Sequence, residues 1–236
     1  MKKLTKRPAS ERGHSDFGWL DSRHTFSFGE YYDPAHRGFH TLRVINDDRV
    51  AGGRGFGTHP HRDMEILSYV VEGGLTHRDS IGNTRTVEAG GVQYMSAGSG
   101  VAHSEFNASP TEPVHFLQIW IHPDERGTEP VYGEWKPSTT VSGLALAASP
   151  DGAEGSLKIR QNAMLSIGRL ESGATLEWAL RPGSAGWLQV IGGTLDAGGE
   201  VLDAGDGLSV EGTELVTLRA GEAAHFLAFD LAPAGA

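Results

Sequence analysis

Along the chain, short runs of β-branched and aromatic residues alternate with turn formers at close intervals. Glu65-Ile-Leu-Ser-Tyr-Val-Val71 and Val114-His-Phe-Leu-Gln-Ile-Trp-Ile121 are the clearest runs, each of a length that suits a strand. Gly73-Gly74, Ile81-Gly82-Asn83, Gly90-Gly91 and Gly98-Ser-Gly100 punctuate the first half at hairpin-like spacing. Long helical periodicity is missing. The pattern predicts an all-β fold, a sandwich or barrel.

Between Pro130 and Gly155 the sequence loosens into Trp135-Lys-Pro-Ser-Thr-Thr140 and Ala147-Ala-Ser-Pro-Asp-Gly152, a composition expected of a connection between compact units. Beyond it, Trp187-Leu-Gln-Val-Ile-Gly-Gly193 echoes Leu67-Ser-Tyr-Val-Val-Glu-Gly-Gly74, and Asp203-Ala-Gly-Asp206 echoes Glu88-Ala-Gly-Gly91. Two copies of one barrel are expected, residues 1–135 and 136–236. Their chemistry differs, because ten of the 11 histidines precede residue 123 and the second half keeps only His225. Any metal site belongs to the first barrel.

A length of 236 residues suits two modest domains, each able to bury a core. With 30 acidic against 20 basic residues and a net charge of -10, the electrostatic attraction behind non-specific phosphate binding has the wrong sign, so direct nucleic-acid binding is disfavoured. There are no cysteines, which removes disulfides, zinc ribbons and thiol nucleophiles and leaves imidazole and carboxylate as the metal ligands on offer. Met1 to Arg12 is basic but leads into no apolar stretch of signal-peptide length, and no run of ~18 apolar residues follows. The expectation is a soluble, cytoplasmic monomer without membrane association.

If Thr58 to Leu67 is extended, His59, His61, Asp63 and Glu65 share one face of a strand. His103 and Glu105 repeat the i, i+2 relation about forty residues later. Three imidazoles and one carboxylate supply roughly four ligands and leave about two positions of an octahedral ion open, a catalytic arrangement, unlike a closed structural site. Spacing does not choose between Glu65 and Glu105 as the carboxylate. Against the metal stands the plainer possibility that these histidines are hydrogen-bonded barrel residues. His77, His115 and His122 are expected to play structural roles or to donate to ligands. His24 alternates with Phe26 and Phe28, which predicts an aromatic core face. No Gly-x-Ser-x-Gly elbow leads into a helix, and the glycine-rich Gly52-Gly-Arg-Gly-Phe-Gly57 precedes a strand, so neither a serine nucleophile nor a phosphate cradle is expected.

Gly53-x5-His59-x-His61-x3-Glu65 resembles the first cupin motif, and Gly100-x2-His103-x3-Asn107 the end of the second. The later glycine of the first motif is displaced by one, with Glu72 before Gly73, and Gly98 replaces the usual proline of the second; neither departure touches a ligand position. Gly55-Phe-Gly-Thr-His-Pro-His-Arg-Asp-Met-Glu65, Glu72-Gly-Gly-Leu-Thr-His-Arg-Asp-Ser80 and Met95-Ser-Ala-Gly-Ser-Gly-Val-Ala-His-Ser-Glu105 resemble the signature segments of pirins, with bacterial pirin-like quercetin dioxygenases as the nearest group. Gly18-Trp-Leu-Asp-Ser-Arg-His-Thr-Phe-Ser-Phe28 and Leu42-Arg-Val-Ile-Asn-Asp-Asp48 extend the resemblance over the first barrel. In the second half it is mainly architectural.

That resemblance implies a bicupin whose first barrel holds one divalent metal through His59, His61, His103 and Glu105, and so selects Glu105 over Glu65. It implies iron first, with manganese, nickel, copper, cobalt or zinc accepted by the same donors. The implied reaction opens the central ring of a flavonol such as quercetin with dioxygen and releases carbon monoxide, Glu105 serving as base. Phe56, Met64, Met95 and Phe106 are expected to line an apolar substrate pocket. Two other readings stay open: a metal- or redox-responsive regulator acting through protein partners, and a metal-free structural bicupin.

Overall fold

The computed structural model describes residues 2–232, and the expected all-β architecture is what it shows. Two barrels follow one another, each made of a seven-stranded and a four-stranded sheet. In the first, the large sheet runs Val131–Trp135, Val92–Ser96, Glu65–Glu72, Val114–Ile121, Leu42–Val50, Leu20–His24, Gly13–Asp16. The small sheet has the order Gly55–His61, Val101–Asn107, Gly74–Asp79, Thr84–Glu88. The second barrel repeats the small-sheet connectivity with Thr175–Ala179, Leu215–Ala220, Thr194–Ala197 and Glu200–Asp203. Both are cupin-type domains.

The division expected at 135/136 falls in the connection between Val131–Trp135 and Gly143–Ser149. One element crosses it: Lys3–Arg7 pairs with Gly207–Glu211 and is the edge strand of the second barrel's large sheet.

Alternation along the strands decides what each face does. On Val114–Ile121, Leu117, Ile119 and Ile121 point out of the first barrel into a core shared with Leu165, Trp187, Leu227 and Phe229 of the second. Gln118 and Trp120 alternate with them and line the first barrel's cavity. On Glu65–Glu72, Leu67 and Tyr69 join the same shared core. The outer faces of the two large sheets therefore bury one another, and Thr25 Oγ1 donating to Gln189 Oε1 at 3.1 Å crosses the join. The second barrel's own interior is filled by Leu188, Val190, Leu218 and Phe226 among others.

The expected extended run from Thr58 to Leu67 is not formed. Its first strand ends at His61, Asp63 adopts a left-handed φ of 50°, and a new strand in the other sheet begins at Glu65. Asp63 instead accepts a hydrogen bond from Gly127 N at 2.6 Å. Glu65 has the parity of Leu67 and Tyr69, so it faces the join between the barrels.

Candidate metal centre

His59 and His61 stand on Gly55–His61, and His103 and Glu105 on Val101–Asn107; the strands pair antiparallel with His103 opposite His59. The register slips between His103 and Glu105, so Glu105 meets Phe56, not Gly57. The extra residue of this bulge lies on the His59 strand and brings Phe56, three positions before His59, to the same cavity. Gly55 permits the close approach there, since a Cβ on it would sit 2.3 Å from the Glu105 carbonyl oxygen.

Ring nitrogens of His59, His61 and His103 all lie within 4.8 Å of one another. Hydrogen bonds on the far sides of two rings set their tautomers. His59 Nδ1 lies 2.8 Å from the Gly57 carbonyl, which only accepts, so Nδ1 carries the proton. His77 Nε2 donates to Asp79 at 2.9 Å, which leaves His77 Nδ1 to accept from His103 Nδ1 at 3.4 Å. Both Nε2 atoms are then left with lone pairs, and they face each other at 3.1 Å. A cation satisfies that geometry, and two nitrogens at right angles about 2.1 Å from one ion would stand about 3 Å apart. Burial, reinforced by the neighbouring imidazoles, pushes His103 down to about 3 and His61 down to about 4. Both rings are neutral at pH 7, the form that ligates. The donor set fits a divalent ion.

Glu105 lines the cavity with His59 and His61, and its carboxylate groups with His103 and His77 within the same 4.8 Å limit. Its Oε1 accepts from Ser68 Oγ at 3.0 Å and Gln93 Nε2 at 2.8 Å, and Oε2 accepts, among the described residues, only from Gln118 Nε2 at 2.6 Å. A carboxylate buried this deeply needs such donors. Glu65, the alternative left open by spacing, is elsewhere: it accepts from Tyr94 Oη, from Ser96 Oγ at 2.6 Å and from Arg160 N at 2.9 Å. Ser68, Gln93 and Gln118 were not among the sequence candidates, although each is a polar residue inside an apolar run. His115 donates to Asp47 at 2.7 Å, and the His122 carbonyl accepts from Gln161 at 2.7 Å; neither joins the three-histidine group.

The imidazoles open into a cavity of about 410 Å³, within the usual range for small-molecule sites. Leu20, Phe28, Phe56 and Trp120 supply aromatic and aliphatic walls, and Trp120 meets His61 edge-on at 5.0 Å. Of the four expected pocket residues only Phe56 is there. Met95 packs with Ile66 and Val101, Met64 lies against that cluster, and Phe106, out of phase with Glu105 on its strand, is 42% exposed. The expected core face of His24, Phe26 and Phe28 is also divided, because the strand ends at His24. His24 and Phe28 line the cavity, while Phe26 packs on Trp187 at 4.9 Å in the shared core. Opposite the small sheet, Ser22, Asn46 and Asp48 form a polar wall. Asp48 Oδ1 is buried without a hydrogen-bond partner among the described residues, and burial pushes its carboxyl up to about 7.

The family model described as Pirin matches residues 5–121, and that described as Quercetinase C-terminal cupin domain matches residues 146–231. The quercetin 2,3-dioxygenase of Escherichia coli K12 is 46% identical over 227 residues, covering 96% of this chain and 98% of that protein. A pirin-like protein of Caulobacter vibrioides is 38% identical over 232 residues, covering 97% of this chain and all (100%) of its own length. The crystal structure of the bacterial pirin YhhW from Escherichia coli in complex with nickel(II) superposes with a TM-score of 0.94 at 45% identity, covering 98% of this chain and 100% of that one.

Proposed function

The chain belongs to the pirin family, and from that premise we propose that it is a metal-dependent dioxygenase acting on a flavonol such as quercetin. The observation that carries the proposal is the pair of Nε2 lone pairs on His59 and His103, 3.1 Å apart, at one end of a cavity of about 410 Å³ with aromatic walls. The names of the relatives support the substrate class, and the nickel complex of YhhW supports the ion.

His59, His61, His103 and Glu105 hold one divalent ion, iron being the first to test. Bound there, the ion supplies Lewis acidity toward the substrate's 3-oxygen. Phe28, Phe56 and Trp120 take the flat rings and exclude water. Glu105 accepts the proton of the substrate hydroxyl through Oε2, which already accepts one hydrogen bond, from Gln118. Ser68 and Gln93, both donating to Oε1, keep the carboxylate in place as Oε2 takes the proton. In the overall reaction two carbon–carbon bonds of the central ring break, one carbon leaves as carbon monoxide, and both atoms of dioxygen enter the products.

The test is carbon monoxide release from quercetin by protein reconstituted separately with iron, manganese, cobalt, nickel, copper and zinc, with His103→Ala as the autoxidation blank. Release at least ~100-fold above the blank with one of these ions is expected. Rates equal to the blank with every ion, despite bound metal, would overturn the proposal and leave a regulator acting through protein partners as the better account.

A further inference from the structure

The three imidazoles account for one part of a substrate, and the polar wall that the large sheet contributes to the cavity is unused by the chemistry above. Ser22, Asn46 and Asp48 lie on neighbouring strands of the large sheet, Ser22 directly opposite Asp48 in register. Asn46 and Asp48 are two apart on one strand, so both face inward. His24 Nδ1 lies 2.8 Å from Asn46 Oδ1, and Ser15 Oγ lies 2.9 Å from His24 Nε2, which fixes the amide and turns its N–H groups away from His24. Asp48 is 2% exposed and its Oδ1 has no partner among the described residues. Folding alone does not favour a buried carboxyl oxygen left without a hydrogen bond in an otherwise well-paired wall. The arrangement offers an amide donor and a free carboxyl acceptor side by side, a pairing that suits a hydroxyl group, which both gives and takes a hydrogen bond.

We propose that Asn46 and Asp48 form a hydroxyl-binding subsite that selects substrates carrying hydroxyl groups on the ring that meets this wall. This rests on the flavonol reading of the cavity. Apolar walls alone do not distinguish a hydroxylated ring from a bare one, whereas a buried acceptor left empty by the bare ring does. The subsite determines specificity and takes no part in the bond-breaking steps.

Dissociation constants for metal-loaded protein would be measured with quercetin, whose outer ring carries two hydroxyls, and with the flavonol lacking both. The measurement would be made for the wild type, Asp48→Val and Asp48→Asn, with metal content and Tm recorded for each and turnover followed separately. The wild type is expected to prefer quercetin by ~10-fold or more, as hydrogen bonds of this kind allow. Asp48→Val is expected to bring the two constants within about twofold at undiminished Tm, and Asp48→Asn, which can still bond a hydroxyl, to restore most of the preference. Equal wild-type affinities, or equal losses for both flavonols in Asp48→Val, would overturn the subsite. Preference without turnover would sink the dioxygenase reading and support the subsite; turnover without preference would do the reverse. Binding of neither flavonol would remove both.

Discussion

Three polar side chains interrupt apolar strands at matching depth: Ser68 between Leu67 and Tyr69, Gln93 between Val92 and Tyr94, Gln118 between Leu117 and Ile119. Each points inward because its neighbours point to the shared core, and all three donate to Glu105. The histidines were legible from their i, i+2 spacing, and these donors were equally visible as breaks in apolar runs. What no residue-level signal reveals is the protonation of Asp48, which depends on burial among strands brought together by the fold. Raised to about 7 against an ordinary value near 3.8, its carboxyl keeps its proton in the folded chain at pH values where the unfolded chain has lost it. Stability therefore falls as pH rises through that window, by at most roughly 4 kcal/mol, with the full penalty present above pH ~7. In protein stripped of metal, the stability gain of Asp48→Asn over wild type is expected to grow from pH 4 to 7 and then level off. Denaturant titrations at several pH values check this; a gain independent of pH would show that Asp48 is charged throughout.

At the scale of the element, the site depends on the slip between the strands carrying His59 and His103. Regular pairing would have set Gly57 opposite Glu105 and turned Phe56 away from the cavity that His59 lines. A bulge leaves little trace in hydropathy, and the ligand candidates flank it; Met64 and Met95 were misassigned for another reason, that they pack into a separate apolar cluster, and Phe106 because it alternates with buried Glu105 on its strand. Gly55 marks the place. A Cβ there would fall 2.3 Å from the Glu105 backbone oxygen and 2.5 Å from Phe106 Cα, both backbone atoms that do not yield cheaply. Gly55→Ala is expected to destabilise the protein by about 2–4 kcal/mol and to weaken metal binding at least ~10-fold, because Glu105 shifts with its strand. Thermal unfolding and competitive chelation measure the two effects, and a variant with wild-type metal affinity would show that the slip does not govern the site.

At the scale of the whole molecule, the second barrel packs behind the first barrel's large sheet, while the residues that line the cavity, Ser15 to Trp120, come from the first. The largest apolar cluster joins the outer faces of the two large sheets, Tyr69 Oη lies 2.8 Å from Nε2 of His225 across them, and burial pushes His225 down to about 3, keeping it neutral. Glu65 belongs to this join through Arg160 N. Glu65→Gln replaces an oxygen acceptor with a donor among Tyr94, Ser96 and Arg160, and is expected to lower Tm by roughly 3–10 °C while leaving metal stoichiometry unchanged. Glu105→Gln is expected to lower metal affinity; metal analysis of both variants separates the two carboxylates, and metal loss in Glu65→Gln would contradict their assignment. The twofold repeat was legible as an echo of strand and turn sequences. The place of Lys3–Arg7 in the second barrel was not, since its partner strand lies some two hundred residues away and edge pairing leaves no local pattern.

The most direct test is to titrate metal-free protein with the ion that proves active, and at each point to measure dioxygen consumed, quercetin lost and carbon monoxide formed. The initial rates of the three are expected to stand in a ratio of about one to one to one, as one dioxygen, one flavonol and one carbon monoxide per turnover require, and to stop rising at about one ion per chain, as one three-histidine centre requires. Carbon monoxide that is absent, or that keeps rising past one equivalent in parallel with free metal, would contradict the account.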